Sequence, residues 1–510
     1  MGTRSTHSQK QRTINVGIAE GGRIEFALGD GVVRTATVAG SGVAIDGEVR
    51  QEWVFTPGQD APGAPNGEKS TPLGTVAPCF TLKGVEIGKG FHWQRRQDQS
   101  FRGSLRLIAR EGRVIAINVV GIEDYLQCVI ASEMSPTAGF EFLKAHAVIS
   151  RSWLLAQLDK RDEVLREGYS AVVCDTPDEL IRWQDREDHT YYDFCADDHC
   201  QRYQGIPMAR DFSAPLRSGR NDKGVIPSEV EESLPSVDPA MIRKTAKVIE
   251  ATWGQVLWYD GRVCDARFSK CCGGAMEEFR YCWEDKEVPY LKYERDVDPS
   301  AGLKDWDLTR ETQARRWILS HPRSFCNTRS KRLLGQVLKD YDSETKDFYR
   351  WRIEYSQQEV HDILLERTGE DFGEILDLIP LERGVSGRIC RLKIVGSAKT
   401  KIIGKELEIR KSLSRSHLYS SAFVVEKVYD AINGCEGLLR KTIICGSARR
   451  RSQPGAGDGS APAQFILRGA GWGHGVGLCQ IGAAAMGSRG YDYRTILAHY
   501  YPNSSLKNLY

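Results

Sequence analysis

From Thr13 to Val54 the chain alternates in short apolar runs, INVGIA, RIEFAL, VVRTATV and VAIDGEV, separated by glycines. A two-residue period punctuated in this way predicts a β-meander. Residues 56 to 74 are rich in Pro and Gly and read as a flexible surface loop. Strand patterns return in TLKGVEIG and in SLRLIAREGRVIAINVV, the latter folded back at Glu111-Gly112 as a hairpin turn. The period then lengthens. Ile122, Leu126, Val129 and Ile130 recur at helical spacing, Ser135-Pro136 interrupts, and Phe142, Leu143, Ala147, Val148 and Leu154 carry a second helix. Glu133 stands between the two patterns, in Ala-Ser-Glu-Met. A carboxyl at a helix end, half out of water, suits a proton donor working near neutral pH. The plainer reading of a lone Glu at such a place is a solvated loop acid or a helix-terminal charge.

Further on, residues 174 to 204 are polar, aromatic and cysteine-containing, and residues 211–239 combine charge, Ser and Pro with few bulky apolar residues. The latter read as a mobile insertion. Helix and strand patterns resume in KTAKVIEATWGQVLWYDGRVCDARFSKCCGG. Residues 308 to 380 read as helical, apart from the strand FYRWRIEYS before a capped helix, SQQEVHDILLERTG. PLERGVSGRICRLKIVG, ELEIRKSL and LYSSAFVVEKV read as strands, and residues 446–462 as a second low-complexity insertion. Gly-rich GAGWGHGVG lets backbone approach backbone or ligand closely, ahead of a small-residue helix from Gln480 to Gly487. The pattern as a whole predicts an α+β fold, a β-rich body around a central helical segment. An N-terminal β-rich region covers 13–110, and a second region, 111–510, carries the two insertions.

Composition narrows the function. A chain of 510 residues, 41% hydrophobic and 27% charged, is an ordinary globular protein, and a net charge of +2 points away from a nucleic-acid partner. No stretch approaches the ~18 consecutive apolar residues of a membrane span. The N-terminus MGTRSTHSQKQRTINVGIAEGG lacks the apolar core of a signal peptide, which leads to the expectation of a cytoplasmic protein. In such a compartment the 14 cysteines favour thiols and metal ligation over disulfides. His189, Cys195 and Cys200, spaced H-x5-C-x4-C, supply three zinc ligands, with water or His199 as the fourth. Trp472 offers a ring for stacking on a ligand, and His474 among glycines either reaches a substrate hydroxyl or Glu133 or is simply hydrogen-bonded within a tight Gly turn; Gln480, Ser269, Gly273 and Gly274 are further binding candidates. Cys271, Cys272 and Cys282 could suggest a second metal site or a thiol nucleophile, but no His or acid stands at ligand spacing and they read as buried small residues.

The frame SEMSPTAGFEFLKAHAVISRSW resembles the signature of the SpoIID/LytB family, in which a proline-bearing turn after Ser-Glu-Met leads into Lys-Ala-Gln-Ala-x-x-x-Arg-Thr. His146 stands where the family usually has Gln, and Ser152 where it has Thr. FSKCCGGAMEEFRYCWEDKEVPYL and GWGHGVGLCQIGA extend the resemblance, with Cys271 and Cys272 at positions usually held by small hydroxyl residues. The resemblance implies a SpoIID-like fold for 111–510 and peptidoglycan glycan strands as substrate. In the sporulation branch it implies a lytic transglycosylase whose catalytic acid matches Glu133. One carboxylate suffices there, because the C6 hydroxyl of MurNAc is the internal nucleophile and the product ends in 1,6-anhydro-MurNAc, whereas ordinary glycosidases use two. Glu123 and Asp124 fit as helix N-terminal charges and are the fallback acids. Some relatives carry zinc on a similar His/Cys stretch, which implies a structural ion here. The LytB branch implies instead a non-catalytic, glycan-binding enhancer of an N-acetylmuramoyl-L-alanine amidase. A zinc-dependent wall hydrolase and a lysozyme-type hydrolase complete the rivals. A wall substrate places the protein in the cell envelope, at odds with the missing leader.

Overall fold

The computed structural model describes residues 12–56, 79–88, 94–167, 171–183, 189–197, 199–207, 238–298, 306–338, 347–429, 442–445 and 461–510; of 162–167 and 442–445 it describes the backbone alone. The meander expected at 13–54 divides between two sheets. Arg23–Leu28, Val33–Ala39, Gly42–Ile45 and Glu48–Arg50 pair in succession and are extended by Phe80–Ile87 and Arg95–Phe101. Thr13–Gly21 and Glu52–Phe55 leave for a second sheet, built on Ser104–Arg110 and Arg113–Gly121. Alternate residues of the two sheets, among them Ile14, Val16, Ile24, Phe26, Phe80, Leu82, Leu105, Leu107, Val114 and Ala116, share one core. Glu111 and Gly112 both take positive φ, 51° and 72°, as a two-residue hairpin turn requires. Arg113–Gly121 is covered on its other face as well. There Ile115 and Ile117 join Ile108 beneath Tyr191 and Tyr192.

The strand runs straight into helix α1, Ile122–Glu133, followed by α2, Phe140–Glu167. Glu133 is the last residue of α1 rather than part of the link between the helices, because the helical hydrogen bonds continue until Met134 N–H reaches the Ile130 carbonyl. Helix α3, Pro239–Ala251, packs on both, capped by the Asp238 carboxylate that accepts from the N–H groups of Ala240 and Met241. Two later helices, Gln480–Ser488 and Tyr493–Tyr500, pack on α2. At the centre Arg151 of α2 grips Glu123 of α1 with two bonds, 2.7 and 2.5 Å, and both side chains are sealed from solvent. Removing one partner of such a pair leaves an uncompensated buried charge. Arg151→Ala is therefore expected to cost about 3–5 kcal/mol in urea unfolding. The double variant Arg151→Met with Glu123→Leu should recover much of that loss; a single variant as stable as wild type would contradict it.

Residues 350–429 and 461–470 gather around a second core containing Trp351, Leu364, Phe372, Leu378, Leu392, Phe423 and Leu467. Ser356 and Glu359 form the expected capping box of the helix Gln357–Thr368. Two readings need correction. Ile375–Ile379, read as helix, instead begins the strand Ile375–Arg383, which pairs with Ile389–Gly396 at a sheet edge, where Pro380 is tolerated. ELEIRKSL forms the helix Glu406–Ser412, not a strand, since its buried residues Glu406, Ile409 and Ser412 recur every three positions and Arg410 pairs with Glu406 across one turn. The insertions read at 211–239 and 446–462 lie outside the described residues except for 238–239 and 461–462, as does most of the loop at 56–74. Among the described residues no helix is long and apolar enough to cross a membrane.

Candidate functional site

Glu133 ends α1 with 8% of the residue exposed. Its Oε1 accepts the backbone N–H of Arg202 at 3.2 Å. One residue earlier, Ser132 Oγ accepts the N–H of Gln204 at 2.9 Å. Between them Tyr203 is buried, its hydroxyl donating to Asn118 Oδ1 at 2.7 Å and its ring 4.8 Å from that of Tyr125. The segment 201–204 is thus laid along the end of α1 and holds the carboxylate from one side. The fallback acids are engaged elsewhere: Glu123 by Arg151, and Asp124 by Arg102 at 3.1 Å. Burial pushes the Asp124 carboxyl up, against the pull of Arg102.

Just before this segment, the loop from His189 to Cys200 collects the expected ligands. The ligand atoms of His189, Cys195, His199 and Cys200 all lie within 4.8 Å of one another. His189 Nε2 is 3.3 Å from Cys200 Sγ, and His199 Nδ1 is 3.5 Å from Cys200 Sγ and 4.0 Å from Cys195 Sγ. These are the separations of donors arranged tetrahedrally about zinc, and two thiolates with two imidazoles are a zinc donor set. His199, left as a competitor of water by the spacing, joins the group. The loop is anchored where Phe194–Cys195 adds a short parallel strand to Val16–Gly17. Gly17 leaves room for the Tyr192 ring, which a Cβ there would meet at 2.5 Å and displace. The Cys195 thiol is held far below its ordinary range, foremost by a hydrogen bond from Cys200 and then by His189 and His199, against the opposing effect of burial. Two residues after Cys200 comes the N–H that binds Glu133. Nearby, the Tyr125 hydroxyl is fully buried without a hydrogen-bond partner among the described residues, its acidity suppressed by burial and by the charges of Cys200, Cys195 and Glu133.

The C-terminal candidates surround a different junction. Trp472 pairs its backbone with Cys271 in both directions, and its ring lies parallel to Phe348 at 4.8 Å and edge-on to Tyr419 at 5.2 Å. His474 accepts the Val476 N–H at Nδ1, 3.0 Å, and sits 4.7 Å from the Trp283 ring. Burial, then Arg267 and Arg388, push it well below the usual histidine range, so it is neutral. Ser269 is buried on a two-residue strand beside Leu478–Cys479. Gly273 and Gly274 take φ of 78° and 101°; a Cβ on Gly273 would strike the Gly471 nitrogen at 2.9 Å, so this turn needs glycine for close backbone approach. Among the described residues no hydrogen bond joins Trp472, His474 or Ser269 to Glu133.

A buried polar chain connects the two junctions. Gln480 Nε2 lies 3.4 Å from His146 Nε2, His146 Nδ1 is 3.2 Å from Ser150 Oγ, and the Ser150 carbonyl accepts Gln201 Nε2 at 3.2 Å. Gln201 precedes the residue that binds Glu133. Burial, and then Lys270, push His146 down to about 3, so this imidazole is neutral and can both donate and accept. His146, Gln201, Arg202 and Tyr125 are site residues that pattern reading did not find. Only His146 carried a signal, as a departure from the usual Gln.

Residues 110–259 match the model described as stage II sporulation protein, SpoIID, which supports a SpoIID assignment for this part of the chain. Residues 277–447 match the model of a domain of unknown function, DUF8618. Among curated relatives, a protein of Bacillus subtilis named "Amidase enhancer" is 24% identical over 274 residues, 51% of this chain and 32% of its own length. An uncharacterized protein of Brachyspira hyodysenteriae is 29% identical over 148 residues, 28% of this chain and 34% of its own. The matched part therefore spans about a third of each of these relatives, 32% and 34%.

Proposed function

We propose that this protein cleaves the glycan strands of peptidoglycan as a lytic transglycosylase, with Glu133 as acid and then base. The observation that carries this reading is a single candidate carboxylate at the end of α1, little exposed and held by a main-chain N–H, while Glu123 and Asp124 beside it are committed to arginines. A reaction needing one carboxylate fits that arrangement better than one needing two. Glu133 protonates the oxygen of the MurNAc–GlcNAc bond as it breaks. The carboxylate so formed takes the proton from the C6 hydroxyl of the same MurNAc as that oxygen closes on C1. The Arg202 N–H fixes the carboxylate in place for both half-steps.

His189, Cys195, His199 and Cys200 would hold a zinc ion, which supplies a cross-link when bound with four protein ligands. Through Cys200 the residues of that loop set the position of Arg202 and hence of Glu133. The printed name of the Bacillus subtilis relative favours a second reading, a glycan-binding enhancer of a wall amidase. Digestion of purified peptidoglycan in oxygen-18 water separates these readings. A lytic transglycosylase should leave unlabelled 1,6-anhydro-MurNAc ends, since water does not enter the product. Labelled reducing ends would show a hydrolase, released peptide an amidase-type metalloenzyme, and no product without an added amidase the enhancer.

A further inference from the structure

We propose that Cys272, Asp296, Cys326 and Cys479 form a second metal site, a closed three-thiolate, one-carboxylate centre for zinc, distinct from the His189–Cys200 loop. Their ligand atoms lie within 4.8 Å of one another although the four residues come from four separate segments. Cys272 Sγ and Cys326 Sγ are 3.6 Å apart. Two thiolates bonded to one tetrahedral zinc at ~2.3 Å lie roughly 3.8 Å apart, whereas a disulfide brings the sulfurs to ~2.05 Å. The pair thus stands at ligand spacing.

Main-chain N–H groups converge on two of the sulfurs. Cys479 Sγ accepts the N–H groups of Cys272, 3.2 Å, and Gly482, 3.4 Å, at the N-terminus of the helix Gln480–Ser488. Cys272 Sγ accepts the N–H of Gly274 at 3.4 Å. Asp296 is oriented by the Cys326 N–H at Oδ2, 2.9 Å, and by the Tyr500 hydroxyl at Oδ1, 2.7 Å. Outer bonds of this kind orient ligands around a metal.

Asp296 is what sets this cluster apart from a core that happens to contain thiols. Buried cysteines alone are ordinary small apolar residues. A carboxylate with no exposure, packed among three of them, is costly without a cation. Among the described residues no Lys or Arg forms an ion pair with Asp296. The basic group that faces it is His499, whose Nε2 stands 3.8 Å from Oδ1 in a side chain 10% exposed. A divalent ion supplies the missing charge, and thiolate-rich ligation selects zinc over magnesium or calcium. With every ligand buried the site is closed, as structural zinc sites are. It would pin the Gly273-Gly274 turn, the segment carrying Asp296 and Cys326, and the helix after Cys479 to one another.

The test counts zinc per chain in the full-length protein, purified without chelator from zinc-supplemented cells. Cys326→Ser should hold one zinc fewer than wild type, and Cys282→Ser, a buried cysteine outside both sets, should hold as many as wild type. Equal zinc in Cys326→Ser and wild type overturns the proposal. Should Cys326→Ser fail to fold, Cys195→Ser loaded with cobalt replaces it. That variant should still show thiolate-to-cobalt charge-transfer absorption, and its absence overturns the proposal equally.

Discussion

Glu133→Gln is expected to lower the rate of glycan cleavage by about 10²–10⁴-fold, the usual loss when a general acid–base group is removed. The amide keeps an oxygen where Oε1 accepts the Arg202 N–H, so the end of α1 and the segment laid along it should remain in place. What disappears is the proton that protonates the leaving oxygen and the charge that later takes one back. Thermal unfolding and pelleting with insoluble peptidoglycan should therefore match wild type while turnover falls. Neighbouring acids provide the contrast. Asp124→Asn should leave turnover near wild type, because Asp124 is paired with Arg102. Loss of Glu123 should appear as lost stability, because it neutralises buried Arg151. Full activity in Glu133→Gln would move the chemistry elsewhere.

Cys195→Ser is expected to abolish metal binding at the His/Cys loop and to lower stability and turnover together. Besides the metal, the loop is held by a two-residue strand against Val16–Gly17, by the Asp193 carboxylate on the Asn15 N–H and on Arg161, and by buried Phe194. Structural zinc contributes ~10–16 kcal/mol in small fingers that are unfolded without it. A smaller loss is expected here, because the two-sheet core and the helices stay folded without the loop. Turnover should fall because Arg202, whose N–H holds Glu133, follows Cys200 by two residues. The check is a thermal melt with and without chelator. Untreated Cys195→Ser should melt below untreated wild type, and chelation should lower its melting temperature by less than it lowers that of wild type. A variant that melts like untreated wild type would remove the structural role of the metal.

Features decided within a turn or two of chain were legible without coordinates. The Glu111-Gly112 hairpin, the Ser356 and Glu359 capping box and both central helices depend on backbone preferences and side-chain periods that act locally. The His189, Cys195 and Cys200 group was legible for the same reason, since one short loop carries it. Short segments whose partners lie far away misled. ELEIRKSL alternates well enough for a strand, and ILDLIPLER runs on from helical neighbours; packing and edge pairing overrode both.

By itself, then, the sequence determined the α+β character, the helix–turn–helix that carries Glu133, and the clustering of His and Cys in one loop, because each is set by residues that are neighbours along the chain. The tertiary structure alone decided which distant residues share a site. Cys272 meets Cys479 across 207 positions, Gln480 meets His146 across 334, and Arg202 meets Glu133 across 69. No period or spacing encodes such meetings. They follow from how sheets and helices bury their apolar faces against one another, and the polar side chains at those seams are carried together by that packing.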